Sequence, residues 1–520
     1  MMRGRFRKWA VAVAMLLLSC GFLSCAPISE EKQDENSTGT WTVAAVERLS
    51  LWQDWSDAIF LTEDDTLRAV ALDVPSVMIY WASWCPHCQN SREQIVSLSG
   101  YLKEKGINVY VVDKLDGEKE TKEAAREFWG EEEITLVYDE GAKIYQRKGL
   151  RMVPTVIVLD GGGSVMAYEE GQIPDRDRME SMVAEAETGK SQKLMYAVKA
   201  NLMTTEGGIR TNYLDGNSLP SGNDELSESM GLMLQNAMLA GDRELFGRLL
   251  NRLSQNSMLP EGGGPYPWVV TDKQDVTVNA AVDDLRIYSA VKAAQEIWGE
   301  VQIVSDMEKA LTAYLLRDGK LVDFYDFTYE QYADSLTLCY ADFEAMNILG
   351  QRDSRWDEAC RSTMEIVKGG RISDDFPLYY SRYSYASASY EGEELNMAEA
   401  MVTLLHLSRV GELPQDTYQW LLSRLEEGVI YAAYDTDGRP ALEKRYESTA
   451  VYALAAMVAM EEGDMDMASR ALSLMEPMRI YDSTNVLDGL FGGEDGNGIY
   501  SFDQCVALEA YLTIERHLSE

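Results

Sequence analysis

The chain has 520 residues, 46% of them hydrophobic, and a formal net charge of −39. That length exceeds one ordinary core, so two or more domains are expected. The acidic balance leaves no surface able to neutralise phosphates, which excludes nucleic acid as a partner and suits a binder of neutral or cationic polymers.

The N-terminus reads as a targeting segment. Arg3, Arg5, Arg7 and Lys8 precede the apolar run "WAVAVAMLLLS", which is short for a bilayer span. "LLSC" ends at Cys20 and "FLSC" at Cys25. Both resemble the bacterial lipobox, in which the cysteine is lipidated and becomes the first residue. Cys20 has Leu17 at the third position before it, whereas Cys25 is followed by the polar tether "APISEEKQDENSTGT". The other readings of this segment are a plain cleaved signal or a membrane anchor. Residues 1–25 are thus expected to be a lipoprotein signal peptide and 26–41 a tether. The rest is then extracytoplasmic, held on the membrane by lipid.

A first domain is expected over residues 42–190. "SVMIYWA" reads as a buried strand, and "CPHC" opens the helical pattern "CQNSREQIVSLSGYLKEKG". The strand "INVYVVD" follows, then the helix "TKEAAREFWG", then "MVPTVIVLD", a "GGG" turn and "SVMAYEEG". This is a thioredoxin order in an α/β fold. Cys85 would stand at a helix N-terminus, where dipole and free N–H groups favour thiolate. Cys88 would be the resolving thiol, and His87 would further favour the Cys85 thiolate and an oxidising potential. A structural disulfide or a metal-binding CxxC is the competing reading.

"WASWCPHC" with the downstream "MVPT" resembles the thioredoxin-like thiol–disulfide oxidoreductases of the bacterial envelope. The resemblance implies that Pro154 is cis and faces the active cysteines. It covers roughly a quarter of the chain. Thioredoxin has a buried Asp six residues before the first cysteine, and here that place is Ile79.

The remaining residues, 191–520, repeat. Six runs are apolar nearly all round: from Ser227, Asn279, Tyr332, Glu394, Glu447 and Phe502, with starts 52 to 62 residues apart. Helices apolar on every face are buried helices. More polar runs such as "DRELFGRLLNRLS" and "QDTYQWLLSRLEEG" lie between them, and "QKLMYAVKANL" precedes the first. Six buried and six outer helices predict an all-α (α/α)6 barrel. Each inner run begins near a carboxylate: Glu228, Asp283 with Asp284, Asp334, Glu394, Glu447 and Asp503. These would gather at one mouth, although acids at helix starts also serve as caps. Asp334, Glu447 with Ser448, and Asp503 are well explained as caps. The Tyr-rich "RYSYASASY" either lines a cleft or packs on the barrel.

"LSESMGLMLQNAMLAGDRELFGRLLNRL", "YPWVV", "NAAVDDLRIYSAVKAAQEIWG" and "YSFDQCVALEAYL" resemble family 8 glycoside hydrolases. The resemblance is distant and spans nearly the whole second domain. It implies inverting hydrolysis of a β-linked (exo)polysaccharide. Glu228 matches the family's general acid, with Ser229 in place of a Gly. Trp268 matches a sugar-stacking aromatic. Asp283 keeps the second Asp of a D-A-D motif, and Ala281 has lost the first. The base is an Asp after a Tyr, closely followed by an Arg; Glu391 takes that place with no Arg following, and Glu394 is the alternative. A barrel that has lost catalysis and only binds glycan, or a scaffold of a polysaccharide-synthesis complex, are the other readings.

Seven cysteines and three histidines bound the remaining chemistry. Cys339, Cys360 and Cys505 lie in apolar or amphipathic runs and are expected to be buried core thiols. His406 and His517 are expected to be structural. No metal and no cofactor is implied. The expected partners are a polysaccharide, a thiol–disulfide redox protein of the envelope and the membrane.

Overall fold

The computed structural model describes residue 55 and residues 57–71, 74–115, 121–216, 220–271, 276–299, 303–481 and 485–519. Cys20, Cys25, the signal segment and the tether lie outside the described residues. The chain forms two compact units. One comprises the described residues up to Tyr196 with those of Arg479–Gly489; the other comprises Ala197–Met478 and the residues from Leu490 onward.

The first unit holds one sheet. Its strands are β1 (Ile59–Leu61), β2 (Leu67–Ala69), β3 (Ser76–Trp81), β4 (Asn108–Asp113), β5 (Leu136–Tyr138), β6 (Thr155–Leu159) and β7 (Val165–Glu170), in the order β2-β1-β5-β4-β3-β6-β7. β3, β4 and β5 are parallel; β6 and β7 are antiparallel to their neighbours. Every residue of β3 and β6 is buried, as near-continuous apolar runs at a sheet centre require. The helices are α1 (Pro86–Asn90), α2 (Arg92–Glu104), α3 (Lys122–Trp129), α4 (Lys143–Arg147) and α5 (Arg176–Thr188). The pattern after "CPHC" is therefore two helices. Ser91 Oγ turns back to the His87 carbonyl at 2.9 Å, a bond that bends helices.

The helix α6 (Lys190–Asn201) contains the division between the units. Inner helices α7 (Ser227–Leu239), α9 (Ala281–Trp298), α11 (Phe343–Gly350), α13 (Met397–Ser408), α15 (Thr449–Glu461) and α17 (Ser501–Ser519) alternate with α8 (Arg243–Gln255), α10 (Val304–Tyr314), α12 (Arg355–Gly369), α14 (Gln415–Glu427) and α16 (Met465–Met475). Each inner helix touches the next, and α17 touches α7, so the ring closes as an (α/α)6 barrel. In α15 every residue from Thr449 to Met460 is buried.

First turns of neighbouring inner helices are bonded to each other. Ser227 Oγ of α7 donates to Asp283 of α9 at 2.6 Å, and the Ser229 and Ser501 hydroxyls of α7 and α17 are 2.6 Å apart. The Ala450 N–H of α15 donates to Asp503 of α17 at 3.0 Å. These helices are therefore parallel, with their N-termini at one mouth. Asp503 thus caps its neighbour rather than its own helix, because the ring brings the free N–H of α15 beside it.

Two further expectations fail. The third inner helix does not start near Tyr332; strands occupy Gln331–Tyr332 and Ser335–Thr337, a 3-10 turn Leu338–Tyr340, and α11 begins at Phe343. Asp342, whose carboxylate accepts from the Ala345 N–H at 2.9 Å, sets that start. Asp334 is consequently a half-exposed loop residue 3.8 Å from Arg317, not a helix cap. Cys339 and Cys505 are buried, but Cys360 is only half-buried, because it lies on the outer helix α12, whose far face meets solvent.

Candidate functional site

Two sites stand in the two units. In the first, β3 ends at Trp81 and a short turn delivers Cys85 to the N-cap of α1, with Pro86 in the first helical position, where its missing N–H costs nothing. Cys85 is 6% exposed and Cys88 fully buried, and neither is bridged. The Cys85 thiol donates to the Val153 carbonyl at 3.3 Å, and the Val153–Pro154 bond is cis. Cys85, Cys88 and Pro154 are therefore assembled. His87 is exposed, as are Trp84 at 41% and Met152 at 50%. Ile79 is fully buried among Val77, Trp81, Val111 and both cysteines, an apolar setting with no carboxyl of its own. Burial pushes the Tyr145 hydroxyl above its ordinary range, with Glu170 and Cys88 both within electrostatic reach.

In the barrel, Glu228 occupies the first turn of α7 and is 7% exposed. The Ser227 N–H donates to the Trp268 carbonyl at 3.1 Å, and Glu225–Leu226 pairs with Val269–Val270. Trp268 is thus fixed beside the acid, with its own side chain buried. Asp283 accepts from Ser227 at 2.6 Å and from Arg286 Nη1 at 3.2 Å. Burial raises its pKa against the pull of those two donors. Asp284 is a further buried acid. It accepts from the Tyr266 N–H at 2.9 Å and Asn279 Nδ2 at 2.7 Å, and burial pushes it up to about 8. The Cys505 thiol is pushed up by burial and then by the nearby Glu228 and Glu509 carboxylates. Among the described residues no cluster of His, Cys, Asp and Glu is placed to hold a metal ion.

The base candidates are placed differently from expectation. Glu391 and Glu394 lie on short strands, Ser389–Glu391 and Glu394–Asn396, and both side chains are 47% exposed. Glu394 accepts from Lys444 at 2.6 Å. Glu391 lies opposite Arg382 in the ladder, 3.5 Å away. The arginine missing after Glu391 is thus present across the strand pair. Glu394 does not open the helix; Asn396 caps it, accepting from Ala398 and Glu399 N–H.

Glu399, three residues into the cap, is the carboxyl that sequence reasoning passed over. It sits in the first turn of α13, and burial pushes it to about 7, with Asp323 adding to the rise and Arg382 and Lys444 opposing it. Asp323 is itself buried, accepts from Ser335 Oγ at 2.6 Å and from the Thr337 N–H, and its backbone carbonyl receives the Ala281 N–H of α9. The signal was available: Asn396-x-x-Glu399 is a capping pattern. By surface exposure Glu399 is half-buried, alone among the residues of α13, so its carboxyl keeps a route to the mouth.

Comparison with known proteins agrees with this division. Residues 67–187 match the family model described as Redoxin. Thiol-disulfide oxidoreductase ResA of Halalkalibacterium halodurans is 22% identical over 115 residues, 22% of this chain and 64% of ResA. YdaJ of Bacillus subtilis (strain 168), a protein that carries the name lipoprotein, is 25% identical over 330 residues, 61% of this chain and 86% of YdaJ. Among solved structures, a protein described as a novel alpha-amylase from Clostridium perfringens superposes with a TM-score of 0.57 at 26% identity, covering 62% of this chain and 97% of the amylase. The chain therefore joins a thioredoxin-like domain that matches the redoxin model to an (α/α)6 barrel similar in fold to that Clostridium protein.

Proposed function

We propose that this protein is an extracytoplasmic lipoprotein, anchored through Cys25 or Cys20, that pairs thiol–disulfide exchange with hydrolysis of a polysaccharide. The observation that carries the first activity is Cys85, unbridged, slightly exposed and 3.3 Å from the carbonyl preceding Pro154. In the exchange, the Cys85 thiolate attacks one sulfur of a client disulfide and releases the other as a thiol. Cys88 then attacks Cys85, forming the Cys85–Cys88 bond and freeing the reduced client. Two electrons pass to the client, and the reverse sequence oxidises it. A Cys88→Ala variant should trap clients as mixed disulfides; capture of no envelope protein counts against this activity.

For the barrel, the carrying observation is a buried Glu228 at a mouth crowded with carboxyls. A general acid needs surroundings that favour its protonated form. Glu228 would protonate the leaving oxygen while a facing carboxylate activates water, the inverting arrangement. A β-linked exopolysaccharide is the substrate class implied by the family resemblance, whereas the Clostridium relative is described as an alpha-amylase. Sugar release should therefore be measured on mixed-linkage β-glucan, cellulose oligomers, chitosan, xylan and starch, with Glu228→Gln as control. Release that vanishes in the control assigns the acid and names the linkage.

A barrel that only binds glycan is the second reading. It is favoured by the exposure and ion pairing of Glu391 and Glu394. Binding to one polymer without release from any would select it, leaving thiol exchange as the only chemistry.

A further inference from the structure

We propose that Glu399, and not Glu391 or Glu394, takes the proton from the attacking water. This rests on the glycosidase reading. The first support is position. In the closed ring, α13 stands three helices from α7 in either direction, so Glu399 and Glu228 stand on opposite walls. The Asp323 carbonyl holds the N-terminus of α9, and Asp323 lies within electrostatic reach of Glu399, which puts Glu399 at the same mouth. Opposite members of a six-helix ring are two interaxial spacings apart, roughly 16–20 Å. Two Cα radii and two glutamate side chains directed inward would narrow that to about 4–8 Å, overlapping the separation of roughly 6.5–9.5 Å that an inverting pair needs.

The second support is environment. Glu391 and Glu394 are half-exposed and each is held by a cation, Arg382 or Lys444. Each is thereby tied into an ion pair at the surface. Glu399 lies deeper, with burial and Asp323 raising its proton affinity and Arg382 and Lys444 at its flank keeping ionisation within reach of neutral pH. A base poised near its working pH takes a proton most effectively. Asp323 acts as a positioning residue, locked by Ser335 and Thr337.

The step balances. The Glu399 carboxylate removes one water proton as the water oxygen bonds to the anomeric carbon. The carbon–oxygen bond to the leaving sugar breaks, and Glu228 supplies that oxygen with its proton. Glu399 ends protonated and Glu228 ionised, and solvent exchange restores both.

Azide tests the assignment, because it attacks without needing a base. With a polymer that wild type cleaves, Glu399→Ala should lose roughly 10²–10⁴-fold in kcat. Added azide should restore turnover and yield a glycosyl azide of inverted configuration. Glu399→Gln should lose activity equally while keeping the melting temperature and polymer binding, and Glu391→Ala and Glu394→Ala should stay within about tenfold of wild type. Asp323→Asn should move the acidic limb of kcat/KM to lower pH. Activity retained in Glu399→Gln, or azide rescue of Glu391→Ala or Glu394→Ala instead, overturns the assignment and leaves the glycosidase reading standing. Wild type silent on every polymer overturns both.

Discussion

Single side chains in this molecule take their chemistry from what surrounds them. Ile79 fills a core cluster shared with Cys85 and Cys88. An aspartate there would lose its hydration inside an apolar cluster, so Ile79→Asp is expected to cost about 3 kcal/mol or more. Ile79→Val should cost only about 1 kcal/mol. Urea unfolding of the thiol-containing unit would separate the two; equal costs would mean that the site admits water. Asp342 shows the opposite balance. Burial would raise its pKa, but His406 at 3.6 Å and the Ala345 N–H hold it down at about 2. A carboxyl depressed in the folded state stabilises above its unfolded pKa, and that stability drains as pH falls toward the folded value. The difference in unfolding free energy between wild type and Asp342→Asn should therefore hold from pH 7 to about 4 and shrink between about 4 and 2. A difference that ignores pH over that range would remove His406 as the cause. His406 is thus a structural partner, while His517 sits exposed in the last turn of α17.

At the level of elements, the inner helices pack through small residues where they come closest. A Cβ built on Gly231 would lie 3.1 Å from Ile287 Cγ1 and 3.4 Å from Arg286 Cδ of α9. That glycine is one turn from Glu228, so helix contact and acid placement depend on the same interface. Gly231→Val should cost roughly 1–3 kcal/mol through overpacking and lower glycan binding or turnover along with stability. Circular dichroism melts and polymer pull-down would check both; a fully stable variant would show that α7 and α9 can slide apart. The Tyr-rich sheet formed by Ser335–Thr337, Arg382–Ser384 and Ser389–Glu391 divides its work. Tyr383 packs on Tyr390 with ring centres 5.0 Å apart, while Arg382 pairs with Glu391 and lies within electrostatic reach of Glu399 and Asp323.

Across the whole molecule, chain order and unit membership part company. The segment Arg479–Gly489 belongs to the thiol-containing unit although it follows most of the barrel. Within that unit Tyr481 packs against the core cluster of Trp55, Tyr80 and Tyr145, and Lys193 pairs with Asp488 at 3.0 Å. Tyr481→Ala is expected to destabilise the unit by about 1–3 kcal/mol. Hydrogen exchange should then quicken in β6 and β7; unchanged exchange there would show the segment to be a passive crossing. No helix among the described residues is long and apolar enough to span a membrane. The proposed lipid attachment is tested by labelling with radioactive fatty acid in wild type against Cys25→Ala and Cys20→Ala; no label in wild type counts against it.

The sequence by itself determined what short-range periodicity can encode. A buried strand running into "CPHC", a Pro before the next strand and all-apolar runs at regular spacing are local patterns. Strand and buried helix follow from them without knowledge of neighbours, but not every helix start, since the run from Tyr332 becomes helix only at Phe343. The closed ring follows too, because six helices apolar on every face can be covered only by one another and by an outer layer. Tertiary structure alone decided which carboxyl is buried, which is paired and which proton it holds. Glu391 finds Arg382 across a ladder, Asp503 caps a helix that is not its own, and Glu399 meets Asp323, Arg382 and Lys444 from distant stretches of chain. Desolvation and Coulomb interaction act through space, so sequence spacing cannot rank such acids; the fold does, by fixing which charges share a dry mouth.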